Sequence, residues 1–236
     1  MEIKLFEKPK NCTIIQGFPG FGLVGTIATE FLIDHLETRL IGKITLDDMP
    51  AIAAIHEGKV VEPLGIFYNK KYNVVVLHAI SSAQGHEWKI AHALTELIDK
   101  VSAKEVICLE GVGAPNIDTS KMRTFFHSNN DQRRKKLEKI TEPLKEGIIM
   151  GVTGAVILRL EDIPISCIFA ETNTDMPDSK AAAQIIKVLD EYLGLEVDIK
   201  PLLAQAVKFE EKLKTILSKS KEAEDISEKK KLSYMG

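Results

Sequence analysis

Apolar residues along the chain recur with two periods. Short runs have the spacing of a strand and longer stretches have the spacing of a helix. The run Cys12-Thr13-Ile14-Ile15 ends in a glycine-rich turn, Gly17 to Gly25, after which Val24, Ala28, Phe31, Leu32, His35 and Leu36 mark a helix. Leu40 to Leu46 reads as the next strand. Lys59 to Phe67 and Tyr72 to Ala79 read as β segments joined around Asn69-Lys70-Lys71, a hairpin that predicts a mixed sheet. From Glu87 to Val101 the positions Ile90, Ala91, Leu94, Leu97 and Ile98 form one helical face, followed by the buried-type strand Glu105 to Leu109. Ser120 to Lys139 is polar and basic with a helix near Asp131 to Ile140, and Gly147 to Leu158 and Ile163 to Ala170 read as strands. Pro177-Asp178 opens a helix with Ala182, Ile185, Ile186 and Leu189 on its inner face, and Gly194 is placed to end it.

A final helix is predicted from Lys200 to Ser218. Its apolar residues Leu202, Ala206, Phe209, Leu213 and Ile216 make a short heptad seam, suited to packing on its own domain or on a neighbouring subunit. The mixed-charge segment Lys219 to Lys231 has almost no apolar residues and reads as a tether that ends in Leu232-Ser233-Tyr234-Met235-Gly236. The pattern therefore predicts an α/β domain over 1–199, a C-terminal amphipathic helix over 200–218 and a flexible tail over 219–236. A chain of 236 residues is of a length that one core can support.

Charge narrows the functional classes. Lys and Arg number 31 against 34 Asp and Glu, a net charge of -3 with no long stretch of one sign, which argues against a nucleic-acid or anionic-membrane surface. Cys12, Cys108 and Cys167 each lie inside an apolar run, as buried thiols of a reducing compartment do. Met1 to Lys10 lacks the order of a secretory signal, and no run approaches the length of about 20 apolar residues that spans a bilayer. A cytoplasmic protein is expected.

Gly20-Phe21-Gly22-Leu23-Val24-Gly25 matches G-x-G-x-x-G, follows a strand and opens a helix, and Asp47 and Asp48 stand where a ribose-binding carboxylate would. A nucleotide-binding enzyme using the Gly17 to Gly25 loop is one reading. The other is a packing loop, because Phe18-Pro19 displaces the motif from the tight turn and Phe18, Phe21 and Leu23 put large apolar groups where phosphate needs bare amides. Elsewhere the chemistry is sparse. His86 and His92 are six apart, which places them on different helix faces and does not make a metal site. No G-x-S-x-G elbow occurs. If the strands are parallel, Ser81, Ser82, His86, Glu110, Asn173 and Asp175 gather at one sheet edge, where α/β folds place ligands. Trp88 reads as a core or interface anchor.

The segment Gly17-Phe18-Pro19-Gly20-Phe21-Gly22-Leu23-Val24-Gly25 with its helix, then Asp47-Asp48-Met49-Pro50, resembles the proteasome-assembly chaperone family, in particular archaeal homologues of eukaryotic proteasome assembly chaperone 2. The similarity continues through Ser81, Gln84 to Trp88, Glu110-Gly111-Val112-Gly113 and Pro177-Asp178. The resemblance implies a three-layer-like α/β sandwich with a mixed, largely parallel sheet of phosphorylase-like type, no catalytic activity and no cofactor. It also implies homo-oligomerisation and help in assembling proteasome α-subunits, with a related chaperone as a further partner. Phe18, Phe21, Leu23, Phe209 and Leu213 are then expected in oligomer or loop packing. The tail resembles the hydrophobic-tyrosine-any-residue ending that docks into α-subunit pockets, which assigns partner binding to Leu232, Tyr234 and Met235. In this chain Tyr234 is third from the end, and Ser233 stands at the hydrophobic position.

Overall fold

A computed structural model describes residues 1–49, 53–56, 58–81, 84–113, 122–172, 176–204 and 215. Among the described residues eleven strands run in chain order: β1 (Glu2–Leu5), β2 (Thr13–Gly17), β3 (Arg39–Thr45), β4 (Ala54–His56), β5 (Lys59–Val61), β6 (Leu64–Asn69), β7 (Val74–Ala79), β8 (Glu105–Gly113), β9 (Thr124–Ser128), β10 (Glu142–Pro143) and β11 (Ile165–Thr172). They are accompanied by the helices α1 (Val24–His35), α2 (Glu87–Val101), α3 (Asp131–Leu137), α4 (Gly151–Arg159) and α5 (Ser179–Leu193). Nine strands form one mixed sheet in the order β1-β3-β6-β7-β2-β8-β11-β9-β10, and β4 and β5 make a separate hairpin.

The centre of the sheet, β7-β2-β8-β11, is parallel, and the strands outside it join mainly in antiparallel fashion. Each central strand is covered on both faces, so its side chains alternate between two apolar layers. On one side Ile14, Leu77, Val106, Cys108 and Phe169 meet Ile90 and Leu94 of α2 and Val152 and Val156 of α4. On the other, Ile15, Val76, Ile107 and Ile168 meet Ile27 and Leu32 of α1 and Ile185, Ile186 and Leu189 of α5. This is the expected three-layer sandwich. Burying a Leu, Ile or Phe side chain contributes about 1.5–3 kcal/mol, so these two layers supply most of the folding energy. All three cysteines are free and buried.

Local signals explain the best-defined helices. Asp178 caps α5 by accepting from the Ala181 amide at 2.9 Å, and Gly194 ends that helix at φ +70. Asn130 caps α3 in the same way, accepting from the amides of Gln132 and Arg133. Residues 200–204 are helical with Leu202 buried, while Phe209, Leu213 and the rest of the predicted seam lie outside the described residues.

One element corrects the sequence reading. Gly147 to Leu158 is not a strand, because Gly151–Arg159 is α4. Its β-branched residues suggest a strand, but Val152, Ala155 and Val156 fall on one helical face and pack against α2 and the sheet. Tertiary packing outweighs the β preference of Val and Ile here.

Candidate functional site

The ends of the four parallel strands, at Gly17, Ala79, Gly113 and Thr172, lie at one edge of the sheet, and the glycine loop is folded down onto that edge. A Cβ on Gly17 would meet the Gly25 carbonyl oxygen at 2.1 Å, and one on Gly25 would meet the Leu109 carbonyl oxygen at 2.3 Å. The start of α1 thus lies directly on β2 and β8, an approach that only glycine permits. The Gly22 carbonyl accepts from the Asp178 amide at 2.9 Å, which ties the loop to the start of α5. Phe18 is buried in the α2 and α4 layer, Leu23 packs against the α1 and α5 layer, and Phe21 is partly buried. The room beside these glycines is filled by protein, with backbone against Gly17 and Gly25 and the Thr172 side chain against Gly22, as a packing loop requires.

Between this loop and α4 lies a cavity of about 640 Å³. Its walls come from Phe18 and Phe21 of the loop, Glu110 of β8, Glu171 of β11, Phe125 of β9 and the segment 144–152 that leads into α4. Ile148 and Met150 of that segment are strongly exposed, at 86% and 62%. Three of the described lining residues are glutamates, Glu110, Glu146 and Glu171, and none is basic.

Glu110 is the polar centre. The Thr153 hydroxyl donates to its Oε2 at 3.0 Å, and Gln16 Nε2 donates to that hydroxyl at 3.3 Å. Gln16 is fully buried, and its Oε1 has no hydrogen-bond partner. Burial pushes the Glu110 carboxyl up to about 7, against the opposing pull of the Thr153 hydroxyl and the Gly111 amide. At the outer wall Arg123 is bonded to Glu142 at 2.8 Å and approaches Glu171 at 3.9 Å, and its guanidinium lies 4.8 Å from the centre of the Phe125 ring.

Of the other residues singled out in the sequence, His86 is not at this cavity. It stands 3.4 Å from Asp48, which also pairs with Lys89 at the start of α2. Asp47 pairs with the N-terminal amine at 3.1 Å. Ser81 is buried, with a hydroxyl that has no hydrogen-bond partner. His92 pairs with Arg159 across α2 and α4 at 2.8 Å. No cluster able to hold a metal ion occurs among the described residues. Trp88 is 57% exposed on α2, so it is not a core residue. Ser82, Asn173, Asp175, Leu232, Tyr234 and Met235 lie outside the described residues. Neither Gln16 nor Thr153 carries a sequence signal for this role: Gln16 is a polar residue inside an apolar strand, and Thr153 falls in the segment whose pattern suggests a strand. Among the described residues no helix is long and apolar enough to cross a membrane.

Comparison with known proteins gives a consistent result. A family model described as the PAC2 family matches residues 14–217. An uncharacterised protein of Methanocaldococcus jannaschii is 28% identical over 224 residues, covering 91% of this chain and 90% of that protein. The crystal structure of Pyrococcus furiosus PbaA, an archaeal homolog of proteasome-assembly chaperone, superposes with a TM-score of 0.84 at 30% identity, covering 94% of this chain and 100% of PbaA. Pyrococcus furiosus PbaB, an archaeal proteasome activator, shares the fold with a TM-score of 0.76 at 21% identity, over 91% of this chain and 98% of PbaB.

Proposed function

The chain belongs to the PAC2 family, and from that premise we propose that it is a non-enzymatic, cytoplasmic chaperone that helps assemble proteasome α-subunits. The observation that carries this reading is the nearly full-length likeness to PbaA, an archaeal homolog of proteasome-assembly chaperone. In this reading the body, 1–199, acts as a homo-oligomeric platform extended by the helix 200–218, and the tail 219–236 carries Leu232, Tyr234 and Met235 to an α-subunit pocket.

Exposed apolar groups on the body suit protein contacts. Ile55 and Val60 face each other across the β4-β5 hairpin at 74% and 65% exposure, and Trp88 stands out on α2. Contiguous exposed apolar patches mark protein contact sites, and the Ile55–Val60 pair would form part of one. A tether raises the effective concentration of a weak tail contact beside a docked body.

The test is quantitative binding of purified α-subunits to the intact chain, to a chain lacking Leu232 to Gly236 and to Tyr234→Ala, with oligomeric mass read by light scattering. The intact chain is expected to bind as an oligomer. Both tail variants should keep the oligomer while losing about 1–3 kcal/mol of affinity. Failure of the intact chain to bind α-subunits would overturn the reading. Equal binding by all three would remove the tail from it.

A further inference from the structure

We propose that the cavity above the end of β8 is a binding site for a small organic cation, an ammonium or guanidinium group on an apolar body, with Glu110 as its counter-ion. This goes beyond the chaperone reading and does not rest on it. The cavity, at about 640 Å³, has the size of a small-molecule site and sits where open α/β sheets bind ligands, outside the carboxyl ends of parallel strands.

The lining selects the class of ligand. Three carboxylates and no basic side chain among the described lining residues repel an anion. Phe18, Phe21 and Phe125 supply apolar and π surface for a cation and its body. The protein already shows this chemistry at the outer wall, where the Arg123 guanidinium lies 4.8 Å from the centre of the Phe125 ring and 3.9 Å from Glu171. Further in, Glu110 has hydrogen-bond donors but, among the described residues, no cation. Gln16 donates to Thr153 and Thr153 donates to Glu110, so the buried chain is directed to hold the carboxyl as an acceptor.

Binding should therefore depend on pH. Among the described residues the ionisable groups around Glu110 are Glu171 and Cys167 on β11, Cys108 on its own strand and Glu146 in the segment before α4, with Arg123, the residue before β9, at the rim. The glycine loop brings no ionisable side chain, and α4 contributes the neutral Thr153. With its carboxyl raised to about 7 by burial, Glu110 must release a proton to pair with a cation, so affinity rises with pH through that range.

Calorimetry on the full chain with benzylammonium, and with benzyl alcohol as its neutral isostere, tests the assignment. Benzylammonium should saturate with an affinity about tenfold higher near pH 8 than near pH 6, and benzyl alcohol should bind at least about tenfold more weakly near pH 8. Repeating the titration near pH 7 in buffers of different ionisation enthalpy should reveal about half a proton released per ligand. Glu110→Gln should lose the affinity and the proton release together, and Phe125→Leu should weaken binding severalfold. If Glu110→Gln does not fold, the wild-type pH dependence and proton count decide alone. The proposal is overturned if benzylammonium shows no saturable heat, if the alcohol binds as well, or if no proton is released. It is also overturned if a peptide of residues 229–236 displaces benzylammonium at concentrations about a hundredfold lower, since the cavity would then serve the chain's own basic tail.

Discussion

Glu105, the first residue of β8, and Glu110, five residues further along it, are held in contrasting ways. Glu105 is fully buried and surrounded by donors. The hydroxyls of Ser166 and Tyr192 each donate to its Oε1 at 2.7 Å, and Arg133 reaches its Oε2 at 3.2 Å. Among the described residues Glu110 has one hydroxyl donor and a backbone amide, faces a cavity, and is raised to about 7. A satisfied buried network fixes structure, whereas a carboxyl left short of partners beside a cavity is a group held ready for something else. The amino end of the parallel strands is held by a satisfied network, and the carboxyl end is where the proposed cation would bind.

The largest effect expected from this contrast is at Glu105. Glu105→Ala removes the acceptor shared by two buried hydroxyls and a guanidinium, and should cost about 3–5 kcal/mol in denaturant-induced unfolding. A loss below about 1 kcal/mol would show that the amino end does not depend on this network.

Glu110→Gln should act in the opposite direction. The folded-state value of Glu110 lies above its ordinary 4.5, so the folded chain holds this proton more tightly than the unfolded chain does. The protonated carboxyl carries no penalty below about 4.5, and stability is lost as pH rises from there to about 7. Replacing Glu110 with Gln should therefore stabilise the chain by about 3 kcal/mol near pH 8 and change little near pH 4. Unfolding midpoints measured across this range check the sign, and a destabilised variant at pH 8 would break the comparison.

How far this site was legible follows from where its parts lie. The helices α2 and α5 were readable from one-sided apolar spacing, and α5 also from the Asp178 cap and the Gly194 stop. Glu110 reads from the sequence as lying just beyond a strand that stops at Leu109, whereas β8 runs on to Gly113 and carries Glu110 within it, because the glycines and Val112 that follow keep the extended pairing with β11. Its hydrogen-bond partner was hidden. Thr153 sits in a helix whose N-cap, Met150, makes no side-chain bond, and whose Val and Ile residues suggest a strand. With α4 misread, neither the Gln16-Thr153-Glu110 chain nor the cavity wall at 144–152 could be assembled. Strand β9 was missed for a related reason. Of its residues, Phe126 and Ser128 alone are buried, and a five-residue strand so polar carries little periodic signal.

Thr153→Val sharpens the contrast from the side of the donor. It deletes the hydroxyl that bonds Glu110 and leaves Gln16 Nε2 without an acceptor while keeping the side-chain volume. The cost should be about 1–2 kcal/mol. Because this hydroxyl opposes the upward shift of Glu110, its loss should also move the midpoint of the pH dependence above the wild-type value of about 7. An unmoved midpoint would mean that Thr153 only fills space.

The smallest effect is expected at Arg133. Its side chain is 33% exposed and approaches Glu105 from the solvent side, whereas the hydroxyls of Ser166 and Tyr192 bond the carboxyl from within. Arg133→Gln leaves both hydroxyl bonds in place and removes a partly screened charge. The loss should be about 1 kcal/mol or less, and it should shrink further as salt is added. Unfolding of the variant and the wild type at low and high ionic strength measures both quantities. A loss of about 3 kcal/mol that persists in high salt would show that Glu105 is held by charge neutralisation, not by its hydroxyl donors. Both ends of β8 would then depend on a cation, one carried by the fold and one supplied from outside.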